Sequence, residues 1–408
     1  MDIKRERYLS WIRPSYDVDI IKVITGVRRS GKSVLLSQIK EEILAKGVTP
    51  DHIIEVNFED VAFESIRTYK KLDKYILKRI KDDGKYYVFL DEIQHVRSFE
   101  RCLASLKATK KNKISIFISG SNSKLLSGRL ASKLVGRCLE YRVLPFSYSE
   151  AKEYLTINQK EVGADFFNDY LTYGGLPQRF DYQGHSNVMQ YVSSVYNGIV
   201  DKDICTPKSK INKEHFSWIA SYVMANAAKQ FSAENVAKFF EKENDWETNK
   251  VVVYRYLDKM EKACLIFRVK RYNVASKRMM KQMEKQYVVD NGFRTVNLLS
   301  ESLPREQALE NLVYNELIYR GYQVLIGKTY KGEIDFVVIG EEGKCFVQVC
   351  YLLSSQDVID REFGAFSSIK DASPKYVLSL DPLENSQNGI KNINIIDWLE
   401  GRKKLQFS

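Results

Sequence analysis

The sequence predicts an α/β protein of several domains that begins with a parallel five-stranded sheet. Residues 20–36, IIKVITGVRRSGKSVLL, join an apolar strand to a glycine-rich loop and then to a helical pattern. Further apolar runs alternate with helical stretches up to residue 146, which is typical of a parallel sheet covered by helices. The chain has 408 residues, more than one hydrophobic core usually supports, so further domains are expected after the first.

The composition is that of an ordinary globular protein, with 44% hydrophobic and 28% charged residues. No apolar run approaches the ~18 residues that a membrane span needs, and the first residues contain no uninterrupted apolar stretch. We therefore expect a cytoplasmic protein without a membrane partner. The six cysteines include no C-x-x-C pair, which argues against a zinc site or a disulfide framework. The net charge of +11 favours anionic partners.

The glycine-rich loop has the complete P-loop pattern, GVRRSGKS, with a strand before it and a helix after it. In such a loop, backbone N–H groups surround phosphate oxygens at a helix N-terminus. Lys32 is expected to reach the β and γ phosphates of ATP, and Ser33 to bind Mg²⁺. A chance match in a structural loop is the alternative. The predicted ATP-binding residues are Gly26, Val27, Arg28, Arg29, Ser30, Gly31, Lys32, Ser33 and Val34.

Two acids end the apolar run YYVFLDE at residues 86–92. Ligands collect at the carboxyl ends of parallel strands, so Asp91 is predicted to hold Mg²⁺ and Glu92 to orient or deprotonate the attacking water. The alternative is that both acids cap the following helix. One further strand, HIIEVNF at residues 52–58, lies between the two motifs. This order is typical of the additional-strand glutamate class of P-loop ATPases.

Two further catalytic residues are predicted from later strands. The fourth strand, ISIFISGSN at 114–122, ends in Asn122, whose amide could bind the γ-phosphate or the attacking water. The fifth strand, CLEYRVLPF, follows Arg137, the first candidate for an arginine finger, with Arg129 as the second. The predicted catalytic set is therefore Lys32, Glu92, Asn122 and Arg137.

The runs GVRRSGKSVLL, LDEIQ, GSN, LPFSYSE and YGGLPQ resemble those of a widespread prokaryotic family of AAA-type P-loop ATP-binding proteins. Members of this family carry a C-terminal domain of unknown function, and the resemblance covers essentially the whole chain. It implies nucleotide binding by an ATPase core over residues 1–146. The resemblance also implies a helical lid over 147–204, and it leaves the biological role open.

Residues 205–300 have the order of a winged-helix domain, in which three helical stretches precede a hairpin. The recognition helix is predicted at Thr248–Lys262, with Thr248 as its cap. The segment 268–285 carries seven basic residues and one acid, Glu284, so it could bind duplex DNA. The alternative is a solvated wing that docks proteins. The basic residues are Arg268, Lys270, Arg271, Lys277, Arg278, Lys281 and Lys285.

Residues 301–408 have the helix and strand order of a PD-(D/E)xK nuclease-like domain, with Glu310 on the helix and Asp335 in the hairpin. Active members carry an acid and a lysine two residues apart on the next strand, where this chain has Gln348 and Cys350. A neutral amide and a thiol cannot replace them, so we expect a catalytically silent domain, although Glu333 and Asp335 share a face.

The leading hypothesis is a Mg²⁺-dependent ATPase that couples its nucleotide state to the winged-helix and nuclease-like domains. Three alternatives remain open from the sequence: a DNA-associated machine, a regulatory switch that binds protein partners without DNA, and an ATP-dependent nuclease. A homo-oligomer is compatible with each of them.

Overall fold

The computed structural model describes residues 1–121, 136–207, 209–280, 284–298 and 303–408. Contacts divide the chain into two compact units: residues 1–145 with 262–264, and residues 146–261 with 265–408. The finer boundaries predicted at 204/205 and 300/301 stay predictions.

The first unit is an α/β layer structure. Its elements are α1 (Glu6–Ile12), β1 (Ile21–Thr25), α2 (Lys32–Ala45), β2 (Ile53–Asn57), α3 (Tyr69–Arg79), β3 (Tyr86–Asp91), α4 (Phe99–Thr109), β4 (Ile114–Gly120) and β5 (Cys138–Arg142). The strands form one parallel sheet in the order β2-β3-β4-β1-β5. The predicted parallel five-stranded sheet is therefore confirmed.

The sheet brings the predicted motifs together because its central strands are neighbours. Strands β1, β3 and β4 are buried along their whole length, which explains their continuous apolar runs. The loop after β1 and the acids after β3 flank the end of β4, because the order runs β3-β4-β1. The carboxyl edge of the sheet is therefore where a site can form.

The second unit begins with helices. These are α5 (Tyr148–Ile157), α6 (Phe166–Tyr173) and α7 (His185–Ile199), followed by α8 (Lys213–Ala225), β6 (Gln230–Phe231), α9 (Ala233–Asn244) and α10 (Lys250–Lys262). A capping box at Ser147 and Glu150 starts α5, and the Ser232 side chain caps α9. Among the helices of the described residues, none is both long and apolar enough to cross a membrane.

The strands after α10 belong to two different sheets. β7 (Ile266–Val269) pairs with β10 (Glu284–Val288), and β6 completes a three-stranded sheet. Between β7 and β10, β8 (Arg271–Asn273) and β9 (Arg278–Met279) leave this sheet, and β8 pairs with β11 (Gln323–Lys328). The predicted hairpin is therefore formed by β7 and β10, and the segment between them contributes β8 and β9 to the following sheet.

The last part of the chain forms a seven-stranded sheet in the order β15-β14-β13-β12-β11-β8-β9. Its remaining elements are α11 (Asn291–Asn297), α12 (Arg305–Tyr319), β12 (Glu333–Gly340), β13 (Gly343–Val349), α13 (Gln356–Gly364), β14 (Lys375–Ser379), β15 (Ile390–Asn394) and α14 (Ile395–Leu399). Antiparallel pairing of β12 with β13 forms the hairpin expected from the sequence. Val337 and Phe346 of this hairpin pack with Phe363 of α13 in one hydrophobic cluster.

Candidate nucleotide-binding site

The loop between β1 and α2 requires glycine at both ends of its pattern. Gly26 has φ +149°, and a Cβ there would lie 2.2 Å from the backbone oxygen of Val143. Gly31 has φ +92° and immediately precedes α2. Only glycine adopts the first of these conformations beside a backbone so close, so the sequence pattern has a direct steric cause.

Lys32 lies buried at the start of α2 and points back to the loop. Its ammonium donates to the Val27 carbonyl at 3.1 Å and lies 3.9 Å from Oε1 of Glu92. Burial lowers the pKa of Lys32, while the charge of Glu92 opposes this shift. The hydroxyl of Ser30 is also buried and has no hydrogen-bond partner among the described residues. A buried cation and an unsatisfied hydroxyl in a backbone cradle fit a phosphate group.

Ser119 of β4 holds the two acids at the end of β3. Its hydroxyl donates to Oδ1 of Asp91 and accepts the backbone N–H of Glu92 at 3.1 Å. Both acids are buried, with residue exposures of 9% for Asp91 and 8% for Glu92. Sequence reasoning missed Ser119, although the small polar residues at the end of this strand were a usable signal.

Glu92 adopts a left-handed backbone conformation with φ +53°. Such a conformation in a residue other than glycine costs ~1–3 kcal/mol and tends to occur at functional sites. The Gln94 side chain donates to Oε2 of Glu92, and the Ser121 hydroxyl does so at 3.4 Å. The carboxylate is therefore held in place from β4 and from the loop that follows β3.

Arg5, which precedes α1, braces the loop from a distant part of the sequence. It is 1% exposed, and its guanidinium donates to the carbonyls of Ser30 and Leu144, both at 3.1 Å. The Leu144 N–H in turn donates to the Tyr8 hydroxyl at 2.9 Å. No sequence motif marks Arg5, because its role depends on contacts 25 and 139 residues away.

The remaining predicted loop residues line the outer side of this site. Ser33 is exposed, Arg29 is exposed, and Arg28 lies 3.8 Å from Glu59. Ligand atoms of Glu59, Glu92 and His95 lie within 4.8 Å of one another, which adds potential metal ligands beside the loop. Since Ser33 follows Lys32 directly and Asp91 ends β3 at the same edge of the sheet, oxygen donors suited to Mg²⁺ are present.

Of the catalytic residues predicted from the fourth and fifth strands, the structure describes Arg137 but not Asn122. Asn122 lies outside the described residues, as does the second finger candidate, Arg129. Arg137 is exposed and precedes β5, and its carbonyl accepts the N–H of Ile21 at 2.9 Å. Since β5 runs parallel to β1, Arg137 lies at the amino end of the sheet, away from the P-loop of its own chain.

The carboxylates predicted in the C-terminal region surround a lysine. Lys285 of β10 lies 2.9 Å from Glu310, 2.7 Å from Glu333 and 4.0 Å from Asp335. Arg271 also contacts Glu333 at 3.0 Å. Burial alone would lower the pKa of Lys285, but the charges of the surrounding acids outweigh it and hold the pKa above its ordinary value. Two cations, Lys285 of β10 and Arg271 of β8, therefore lie against these acids.

The two substituted positions are also engaged within the chain. The amide oxygen of Gln348 accepts the Asp335 N–H at 3.2 Å, and Oδ2 of Asp335 accepts the Val349 N–H at 2.9 Å. Burial, followed by the charge of Glu310, raises the pKa of Asp335 well above its usual range. Burial also raises the pKa of Cys350 to about 12, so this thiol is neutral.

Much of the predicted basic strip is paired with acids. Arg268 contacts Asp258 at 2.6 Å and Glu284 at 2.8 Å. Arg271 and Lys285 are buried in the cluster described above. Since Arg271 is 3% exposed and paired with Glu333, its guanidinium is not presented to DNA as the sequence interpretation of the segment required. The exposed basic residues of the segment within the described ranges are Lys270, Lys277 and Arg278, and Lys281 lies outside those ranges.

Family comparisons agree with this geometry over the first part of the chain. Residues 19–152 match the model of an AAA domain. This part of the chain is therefore similar to AAA domains. Residues 164–302 match a domain of unknown function, DUF8612. The two matches end at residue 302, so they give no support to the nuclease-like prediction for the residues beyond.

Two relatives from different prokaryotes align with most of the chain. An uncharacterized protein of Haemophilus influenzae is 29% identical over 402 residues, which cover 97% of this chain and 98% of that protein. The uncharacterized protein MJ1544 of Methanocaldococcus jannaschii is 29% identical over 391 residues, 92% of this chain and 85% of that protein. Each alignment therefore covers most of this chain and most of the relative.

Two solved structures align with parts of the chain. AMPPCP-bound DnaA from Aquifex aeolicus has 12% identity and a TM-score of 0.32, and covers 64% of this chain and 89% of its own. The Aeropyrum pernix ORC1 protein in complex with DNA has 12% identity and a TM-score of 0.31, and covers 73% of this chain and 93% of its own. TM-scores this low support no inference from these two structures to this chain.

Proposed function

We propose that the protein is a Mg²⁺-dependent ATPase of the AAA type whose nucleotide state is transmitted to the second compact unit. The observation that carries this proposal is the position of Glu92, which lies 3.9 Å from the P-loop lysine in a strained conformation fixed by Ser119. A cytoplasmic location remains part of the proposal.

Each residue of the site has a separate role in this proposal. The loop N–H groups and Lys32 bind the phosphates, and Ser33 and Asp91 hold Mg²⁺, which neutralises phosphate charge when bound. Glu92 accepts a proton from the attacking water, and Gln94 and Ser121 orient its carboxylate. Ser119 fixes the positions of Asp91 and Glu92 through hydrogen bonds to both residues.

Substitution of Lys32 and Glu92 separates binding from hydrolysis. Glu92→Gln keeps the shape of the side chain but removes the base, so ATP binding should persist while turnover falls by ~10²–10⁴-fold. Lys32→Ala removes the buried cation and should abolish binding. Binding is measured with a fluorescent ATP analogue, and turnover by phosphate release.

Glu64→Gln is the matched control, because Glu64 is an exposed acid in the same unit that makes no contact with the site. It should leave both quantities unchanged. Wild-type turnover in both Lys32→Ala and Glu92→Gln would reject the assignment of the site.

Contact with duplex DNA is a second candidate function. In this proposal residues 205–300 form a winged-helix domain, and α10 is its recognition helix. Its exposed face carries Lys250, Tyr254 and Arg255, which could make phosphate and base contacts. In the segment 268–285, three of the six described basic residues are paired with acids. The competing proposal, a switch that binds protein partners without DNA, uses the same face for a protein.

For residues 301–408 we propose a nuclease-like domain without catalytic activity. The support is electrostatic: Lys285 already compensates Glu310 and Glu333, and Gln348 adds no charge for a metal ion. Cys350 donates to the Leu352 carbonyl at 3.2 Å and supplies no cation. The remaining role of this domain is to bind or position partners, which the ATPase activity would control.

A further inference from the structure

A groove of about 560 Å³ lies between α3 and α4 on the first compact unit. The two helices begin side by side, because the Tyr69 N–H donates to the Arg97 carbonyl at 3.1 Å. Their inner faces, which include Leu72, Ile76 and Leu103, are buried in the core of the sheet. The groove between their outer faces is open to solvent.

The walls of the groove are strongly basic. Lys70, Lys74 and Lys78 project from α3, and Arg101 faces them from α4, against the single acid Asp73. All four cations are exposed. None of the three lysines forms an ion pair with any residue in the described part of the chain. The groove therefore has a net charge of three positive units that the protein itself does not compensate.

The arrangement of the lysines destabilises α3 in the absence of an anion. They recur at every fourth position and share one face, about 6 Å apart along the helix axis. Like charges at this spacing weaken a helix by ~0.2–0.5 kcal/mol per pair. A linear polyanion along the groove would convert this repulsion into attraction. A single small anion would contact only part of the row.

An aromatic side chain lies at one end of the row. Tyr69 lines the groove, and the Arg101 guanidinium lies 5.4 Å from the centre of its ring. Basic residues that follow a backbone, combined with aromatic or guanidinium planes for stacking, are the features that bind unpaired nucleotides. A duplex would not offer its bases to this ring, because they are stacked within the helix.

We propose that the groove between α3 and α4 binds the sugar–phosphate backbone of single-stranded nucleic acid. Lys70, Lys74 and Lys78 contact successive phosphates, Arg101 contacts the strand from the opposite wall, and Tyr69 stacks on a base. This surface is distinct from the P-loop and from α10, and the proposal does not depend on ATP hydrolysis.

The test is fluorescence anisotropy of a labelled oligothymidylate with the full-length protein over a range of salt. The triple variant Lys70→Glu, Lys74→Glu, Lys78→Glu should bind at least about tenfold more weakly at low salt. The slope of log affinity against log salt should also become shallower by about 2, because three phosphate contacts are lost. ATP turnover should be unchanged, which shows that the variant is folded.

The matched control reverses three exposed lysines elsewhere, Lys331, Lys370 and Lys404, and therefore changes the net charge equally. It should retain oligothymidylate binding. A second comparison, Lys250→Glu with Arg255→Glu, should weaken duplex binding only, which separates this groove from the proposed recognition helix. Equal loss in the groove variant and the lysine control would reject the proposal. It would also be rejected if an acidic peptide bound through these lysines and the oligonucleotide did not.

Discussion

At the scale of single residues, charged side chains in this protein have partners at very different distances along the chain. The P-loop residues and the two acids were predicted because their functions depend on neighbours within a few positions. The partner of Glu310 and Glu333 was not predicted, since Lys285 reaches them from a strand that the sequence assigns to another domain. The sequence shows an excess of basic residues in 268–285, but it does not show that Arg271 and Lys285 are buried.

Lys285→Met tests this buried cluster. Lys285 has 5% side-chain exposure, and its removal leaves Glu310 without its ion-pair partner and Glu333 with Arg271 alone. Breaking a buried ion pair in this way costs ~3–5 kcal/mol. The midpoint of urea unfolding should therefore fall clearly at neutral pH. Lys270→Met, at an exposed position of the same segment, is the control and should change stability by less than ~0.5 kcal/mol.

The pH dependence of this difference has a defined sign. The folded-state pKa of Lys285 is raised above its ordinary value of 10.5, so its contribution to stability is complete below that pH. The contribution is lost as the pH rises through the folded-state pKa. Wild type and Lys285→Met should therefore converge only at strongly alkaline pH. Identical midpoints at neutral pH would show that the cluster does not depend on Lys285.

At the scale of secondary structure elements, the type of element was predicted better than its ends and partners. The sequence predicts a basic hairpin after α10, but β8 pairs with β11 across a long interval of sequence. Local patterns identify strands without naming the strand with which each one pairs. The parallel sheet of the first unit was easier to predict, because helical crossovers between buried strands allow few arrangements.

The start of α10 gives a test at this scale. Thr248 was predicted as the cap, but Asn249 performs this role: its Oδ1 accepts the N–H groups of Val251 at 3.0 Å and Val252 at 3.1 Å. Thr248 has a buried hydroxyl without a partner in the described ranges. Asn249→Ala should reduce stability by about 1 kcal/mol, whereas Thr248→Ala should have little effect. Chemical denaturation of both variants measures the difference, and the reverse order would restore the sequence prediction.

At the scale of the whole molecule, the position of Arg137 bears on whether the proposed ATPase acts as a single chain. The parallel register pairs Ile21 with Cys138 and Thr25 with Arg142. Arg137 is therefore about six residues, or roughly 20 Å of extended strand, from the level of Gly26. An arginine side chain cannot span this distance to its own P-loop. If Arg137 is the arginine finger, it must act on the nucleotide of a neighbouring chain.

This geometry predicts complementation between two inactive variants. Arg137→Ala retains Glu92 but cannot supply a finger, and Glu92→Gln retains Arg137 but lacks the base. Each should be inactive alone, whereas their mixture should regain part of the phosphate release, because Glu92→Gln chains supply Arg137 to Arg137→Ala sites. A double variant, Glu92→Gln with Arg137→Ala, is the control and should not restore activity when mixed with Arg137→Ala. A mixture that stays inactive, or an Arg137→Ala protein with full activity, would exclude this residue as a finger acting between chains.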